Sequence, residues 1–406
     1  MIETSNFTHL DKCLCCEGKN LKTVLDLHDQ PLANSYLSSV NEREDFYPLA
    51  LNYCLDCTHL QLSVGVDPDL LFKNYLYVSG TTQTLRDYFD SFVKRVSVHM
   101  PYLGPYKVLD IACNDGSQLD AFKKYGHITY GIDPAENLYP LSSKNHNVVC
   151  DYFSSDSISK LEVKKFDIII AQNVFAHNTY PDEFLKTCEK YLDYDGKLFI
   201  QTSQADMVKY GQFDTIYHEH ISFFNTRSMA TLANRCNMYL EDVFKTDIHG
   251  TSYVFVLTKD ANFDNTKMLI ESEEKQTLDI VNSFANKATE VVLQLKIELQ
   301  QLKGCYRVGY GAAAKGNTLL NFAELDLDYI VDDNPLKQGL LTPGRKIKIV
   351  SLDEMIQIAG DKAVVWIPLS WNFFDEIRKR IRNKYFKPTV FIKYFPKMQV
   401  ILESEE

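Results

Sequence analysis

The run Val108-Leu109-Asp110-Ile111-Ala112-Cys113-Asn114-Asp115-Gly116 constrains this chain more than any other: an apolar strand reaches an acid, turns through small residues and enters a helix near Ser117. A strand buried on both faces calls for parallel neighbours, and those are reached through crossovers that are usually helical. The chain supplies both. Apolar strands recur at 107–112, 129–132, 166–172, 197–202 and 252–257, with helical segments between them. This alternation predicts an α/β fold with a Rossmann-like, helix-flanked sheet over residues 76–260.

A second, smaller α/β pattern follows at 306–309, 329–332, 363–367 and 389–392. The charged segment 265–302 joins the two and contains neither proline nor glycine. Within it Leu278, Val281, Phe284, Ala288, Val291, Val292, Leu295 and Leu299 recur at three- and four-residue spacing. That period predicts helix, either one long connector or a packed pair. Residues 1–75 are instead rich in turn formers. The expected domains are therefore 1–75, 76–260 and 261–406, and a length of 406 residues is ordinary for roughly two to three domains.

Composition narrows the partners. With 45% hydrophobic and 24% charged residues the chain is built to form cores. A net charge of -11 argues against a nucleic-acid polymer, which needs a basic face. It does not argue against a small diphosphate, which a few local cations hold. No stretch has the length and apolarity of a membrane span, and no charged-then-apolar leader opens the sequence. The expectation is a soluble, cytoplasmic enzyme.

In such a reducing compartment, cysteines serve as metal ligands or buried apolar groups more often than as disulfides. Cys13 and Cys16 form one Cys-x-x-Cys pair, Cys54 and Cys57 another. Each pair spans an edge of a tetrahedral zinc, and four thiolates leave no position for water, so the predicted zinc is structural. Cys15 is an alternative to Cys16. Zinc would fix a lobe with too little core of its own.

Strand-end acids point to an adenosine-containing cofactor. Asp110 stands in the first strand and Asn114 and Gly116 in the turn after it. Asp133 closes the second strand, where a carboxylate can accept from both ribose hydroxyls; Asp151 and Phe153 follow the third, suited to an adenine edge and face; Asn173 follows the fourth. Ligands of such sheets bind beyond the carboxyl ends of the strands, against a helix N-terminus. NAD is the competitor, but this first loop lacks the G-x-G-x-x-G spacing, and S-adenosylmethionine is the better match. Near the other end, Gly309-Tyr310-Gly311-Ala312-Ala313-Ala314 does match G-x-G-x-x-A, with Asp332 or Asp333 about 20 residues on. A nicotinamide-dependent oxidoreductase acting on a nucleotide sugar is therefore the rival class. Lys315, directly after that turn, favours a diphosphate.

Asp214-Thr215-Ile216-Tyr217-His218-Glu219-His220 is the densest chemical cluster. Methyl transfer to carbon needs a base beside a carbonyl and a donor for the enolate. A histidine suits the first and a tyrosine hydroxyl the second. Two histidines at i, i+2 on a helix would not face one metal ion.

The chain resembles the nucleotide-sugar C-methyltransferases, three-domain enzymes that make branched deoxysugars. The resemblance runs nearly end to end, through the cysteine pairs, Tyr77-Val78-Ser79-Gly80, Asn114-Asp115-Gly116 and Asn173-Val174-Phe175-Ala176-His177. It continues through Phe213 to His220, Gly309 to Asn317, and Asp332-Asp333-Asn334-Pro335-Leu336-Lys337-Gln338-Gly339. The resemblance implies a zinc-binding N-terminal lobe, a middle domain for S-adenosylmethionine and a C-terminal domain that grips the nucleotide. It implies a nucleoside-diphosphate 4-keto-6-deoxy sugar methylated at carbon 3. By position, His220 is then the base, Tyr217 a partner of the sugar or enolate and Glu219 an orienting or polarising group. Tyr77 and His177 line the sugar pocket, and Gly311, Lys315, Asn317, Asp333 and Asn334 fall to the nucleotide side.

Three places depart from the family pattern. Ala112 stands where a glycine is usual, the acid common after the fifth strand is replaced within Gln201-Thr202-Ser203-Gln204, and His249-Gly250-Thr251-Ser252-Tyr253-Val254 lacks an arginine.

Overall fold

A computed structural model describes residues 6–72, 79–81, 83–203, 207–273 and 277–403. Tyr77 and Gln204 lie outside the described residues.

The N-terminal lobe is an antiparallel meander of β1 (Leu21–Pro31), β2 (Phe46–Cys54) and β3 (Leu60–Leu62), with Ser222–Phe223 of the middle region pairing onto β3. A stretch read from sequence as mostly turns is thus a sheet. Its strands carry polar residues such as Asp26, His28 and Asn52, and register shifts near Thr23 and Asp26 break the alternation that marks a strand.

The middle region forms a seven-stranded sheet. Its parallel part comprises β4 (Lys107–Ile111), β5 (Ile128–Ile132), β6 (Asn147–Val149), β7 (Phe166–Gln172) and β8 (Leu192–Ser203). Two antiparallel strands complete it: β9 (Tyr239–Thr246), missed in the sequence, and β10 (Ser252–Thr258). The order β9-β10-β8-β7-β4-β5-β6 places the reversal of chain direction between β4 and β7. Loops after these two strands diverge and leave a crevice there. The helix α1 (Gln83–Val98) covers one face through Leu85, Phe89, Phe92, Val93 and Val96.

Segment 265–302 is a pair, α2 (Thr266–Ser272) and α3 (Leu278–Gln301). The break has local causes. Glu273 is extended, and its carboxylate accepts from Tyr253 Oη and the Thr226 amide, while Thr277 caps α3 through its side chain. The predicted stripe holds: Val281, Phe284, Ala288, Val292, Leu295 and Leu299 are buried.

The C-terminal sheet has β11 (Tyr306–Tyr310) and β14 (Val364–Pro368) at its centre. On one side lie β12 (Tyr329–Val331) and β13 (Ile349–Val350), on the other β15 (Thr389–Lys393) and antiparallel β16 (Gln399–Glu403). The reversal falls between β11 and β14, so the glycine loop after β11 lies at a second switch point.

One core crosses domain limits. Leu25, Leu49 and Leu62 of the lobe, the α3 stripe, and Leu320, Ile349 and Ile367 of the C-terminal domain form a single cluster. Among the described residues the cluster that the N-terminal lobe keeps to itself is small, around Leu32, Tyr47 and Val66. Phe284→Ala, at the fully buried centre of α3, is expected to cost about 3–5 kcal/mol and to loosen the lobe and C-terminal domain together. Urea unfolding and limited proteolysis of the variant measure both effects.

Candidate active site

The first crevice is shaped by its backbone. Ala112 (φ 62), Asn114 (φ 53), Gly116 (φ 83) and Asn173 (φ 54) all adopt left-handed conformations. At Ala112 the side chain makes that conformation costly, which explains why glycine is usual there. A Cβ on Gly116 would come within 3.1 Å of Ser142 Cα. The buried Asp133 accepts from the Asn114 amide at 2.8 Å and from the Ala135 amide at 2.8 Å, so it braces the loop. Burial and the neighbouring carboxylates of Asp133 and Asp115 push Asp110 well above the ordinary carboxylate range. Asn114 and Asp115 also hold the chain from the cap side: their side-chain oxygens accept from the Ser79 and Gly80 amides, each at 2.9 Å.

The donors and acceptors left open at this crevice fit a polar cofactor. Asn173 Oδ1, Gln172 Nε2 and both polar atoms of Gln118 are buried at or near the ends of β4 and β7 without a hydrogen-bond partner among the described residues. Such groups are costly unless a ligand or water satisfies them. Gln118 was not singled out in the sequence, where a glutamine in a helix has no signal. Phe153 packs on the buried Phe184 with centroids 4.6 Å apart. Asp151 instead pairs with Lys160 at 2.6 Å, and that cation holds it below the usual carboxylate range.

The acid-base string is folded into a tight unit between all three domains. His220 Nδ1 lies 2.9 Å from the Thr215 carbonyl, which can only accept, so Nδ1 carries the proton. Nε2 is then the basic nitrogen, and it accepts from Tyr217 Oη at 2.8 Å. The ring of His177, on the turn after β7, lies 5.2 Å from that of His220, and burial pushes its pKa down to about 4. His218 is separated from this group. It turns to the Tyr47 and Pro48 carbonyls, each 3.3 Å away, and serves the contact with the lobe.

The two acids of the string are buried and reach outside their own domain. Glu219 Oε1 accepts from Asn34 Nδ2 at 2.7 Å; burial raises its pKa to about 7, against the pull of Asn34 and Lys337. Asp214 Oδ2 accepts from Trp371 Nε1 at 2.8 Å and Tyr394 Oη at 3.3 Å, and burial raises it to about 7. Lys315 lies 4.7 Å over the Trp371 ring and is attracted by Asp214. Asn34, Trp371 and Tyr394 carried no signal in the sequence, since each is far along the chain from the acid it serves.

The second crevice is bounded by Gly311 (φ 96), where a Cβ would lie 2.4 Å from Ser370 Oγ. Only glycine fits there. Asp332 accepts from the Ala312 amide at 2.7 Å and the Asn334 amide at 2.8 Å, bracing this loop as Asp133 braces the first. Asn334 caps its own turn by accepting from the Leu336 amide at 3.0 Å. Two of the expected nucleotide contacts are occupied within the protein. Asn317 Nδ2 donates to the Ala33 carbonyl at 2.6 Å, and Asp333 pairs with Arg380 and accepts from Tyr310 Oη at 2.9 Å.

Cys13, Cys16, Cys54 and Cys57 bring their sulfurs within 4.8 Å of one another. Each pair sits on the same kind of turn: the Glu17 amide donates to Cys13 O and the Thr58 amide to Cys54 O, with Glu17 (φ 62) and Thr58 (φ 65) left-handed. Four converging thiols of this kind fit tetrahedral zinc. Cys15 is excluded from the set and is buried instead beside the core, its carbonyl accepting from Arg235. Hydrogen bonds from Cys15 and Cys57 hold Cys13 well below the ordinary thiol range.

Comparison with known proteins gives three adjoining domain matches: a zinc binding domain over residues 13–72, a methyltransferase domain over 80–243, and a C-methyltransferase C-terminal domain over 247–396. The chain is 27% identical over 415 residues to the C-methyltransferase NovU of Streptomyces niveus, covering 97% of each. A ubiquinone biosynthesis O-methyltransferase of Coxiella burnetii is 25% identical over 173 residues, 38% of this chain and 73% of that one. Among solved structures, the PH0226 protein of Pyrococcus horikoshii aligns with a TM-score of 0.37 at 17% identity, over 45% of this chain and 95% of that one.

Zinc analysis of the purified chain is expected to give about one ion per molecule, and Cys54→Ser to remove it and expose residues 13–72 to protease. A second expectation concerns pH. The folded chain holds a proton on Asp214 up to about 7, whereas the unfolded chain releases it near the ordinary value of 3.8. The native state therefore binds more protons between these limits, and stability falls as pH rises through them. Glu219 acts in the same sense. Asp214→Asn should flatten the decline, read from denaturant midpoints at pH 4 to 8.

Proposed function

Because the chain belongs to the S-adenosylmethionine-dependent C-methyltransferases built from these three domains, we propose that it methylates carbon 3 of a nucleoside-diphosphate 4-keto-6-deoxy sugar. The observation that carries the reading is the Thr215–His220–Tyr217 chain, an imidazole with Nδ1 on a carbonyl and Nε2 directed to a phenol. No helix among the described residues is long and apolar enough to cross a membrane.

Asp133 after β5, Asn114 and Gln118 after β4, and Asn173 after β7 would hold S-adenosylmethionine, which would supply an electrophilic sulfonium methyl. His220 Nε2 takes the proton from the carbon beside the ketone, which the 4-keto group has made acidic. The positive charge that develops on the ring is stabilised through Nδ1–H by the Thr215 carbonyl. Tyr217 Oη, released from Nε2 as the substrate enters, donates to the enolate oxygen. His177, neutral at physiological pH, adds no competing charge beside His220. The glycine loop at Gly311 and the cation of Lys315 receive the nucleotide diphosphate, and the sugar spans the two crevices.

Incubation with S-adenosylmethionine and a panel of nucleoside-diphosphate 4-keto-6-deoxy sugars should yield a product heavier by one methyl, with loss of the label from a substrate deuterated at carbon 3. His220→Asn should lower kcat by about 10²–10⁴ with little change in fold. Reduction of a panel sugar with NADH, and methyl gain on none, would transfer the reading to the oxidoreductase class.

A further inference from the structure

Residues 32–37 of the N-terminal lobe run along the seam between the other two domains. Asn34 Nδ2 donates to Glu219 Oε1 in the acid-base string at 2.7 Å. The neighbouring Ala33 carbonyl accepts from Asn317 of the C-terminal domain at 2.6 Å, and Tyr36 Oη donates to the carbonyl of Ala312 in the glycine loop. Leu37 and Leu341 exchange backbone hydrogen bonds at 3.0 and 2.8 Å. From the opposite side Lys337 Nζ donates to the same Ala312 carbonyl at 2.6 Å, lies 5.1 Å over the Tyr36 ring, and attracts Glu219.

Glu219 is only 6% exposed, so its carboxylate depends on partners rather than on water. The partners come from elsewhere: Asn34 from the lobe and Lys337 from the C-terminal domain. Asn34 itself is exposed and lends the core little, so its amide is what it contributes to this junction. We propose that Asn34 and Lys337 are positioning residues for Glu219, so that the acid-base string is complete only when the lobe and the C-terminal domain are both seated on the methyltransferase domain. The proposal rests on reading Tyr217 to His220 as the acid-base site. It gives the zinc lobe a part in the chemistry, because the strap that carries Asn34 continues from the sheet beside the cysteine cluster.

The sign of the effect follows from electrostatics. Asn34 and Lys337 favour the anion of Glu219, while Tyr36 and Asp332 at the same junction offer no positive charge to replace them. Removing either partner therefore raises the pH at which Glu219 ionises.

The test uses the full zinc-loaded chain with carboxyl ¹³C-labelled glutamate, the Glu219 resonance being assigned by its absence in Glu219→Gln. In Asn34→Ala and Lys337→Met the Glu219 titration should move up by about one pH unit, and further in Asn34→Asp, where a second carboxylate faces it. Lys337→Arg should restore most of the original midpoint. The acidic limb of kcat/KM should move with the titration, lowering kcat/KM about tenfold just below neutrality. A folded Asn34→Ala whose Glu219 titrates as in the parent would overturn the proposal, whatever its melting temperature. If Lys337→Met does not fold, the exposed Asn34 variants decide alone. A parent chain that methylates no sugar would sink the functional reading, and the titration would still decide whether Asn34 and Lys337 act on Glu219.

Discussion

Two acids buried where their own domain cannot satisfy them set the register in which the domains of this molecule meet. Asp214 and Glu219 lie in one short string, both nearly inaccessible to water, and each is served by another part of the chain. Asp214 takes Trp371 and Tyr394 from the C-terminal domain, and Glu219 takes Asn34 from the lobe. Docking takes both acids out of water, and the partners that it brings offset part of that cost and fix the shape of the string. The shared apolar core around α3 supplies the area for docking, and the polar contacts supply its register.

The two sheets repeat one solution. Each has its chain reversal between two central strands, and each glycine- or alanine-containing loop beyond the reversal is braced by an acid from the next strand end, Asp133 in one and Asp332 in the other. The acids accept backbone amides and so set loop conformation before any ligand arrives. The string with Tyr217 and His220 lies between these loops.

Much of this was legible in the chain. Strand β7 appears with the bounds its apolar run gives, and the α3 stripe is the one its spacing gives, because both are periodic and deeply buried. The cysteine turns were legible from two x-x spacings, although the choice of Cys16 over Cys15 was not. The lobe strands were hidden by polar residues and irregular register, and β9 by its mixed face. Among site residues, His220 and Tyr217 stand together as their three-residue spacing allows. Asp151, Asn317 and Asp333 looked equivalent to other loop acids and amides, yet each has a nearer partner in Lys160, the Ala33 carbonyl and Arg380.

By itself the sequence determined what depends on neighbours along the chain: the strand-turn-helix crossovers, the two metal-binding turns, the helical stripe of α3, and a tyrosine and histidine close enough to share a proton. Tertiary structure alone decided which nitrogen of His220 is basic, which acids are buried and who answers them. The reason is physical. Periodicity and turn geometry act over a few residues, whereas the cost of a buried charge is set by solvent exclusion, which exists only after segments such as Asn34, Asp214, Lys337 and Trp371 have been brought to one seam.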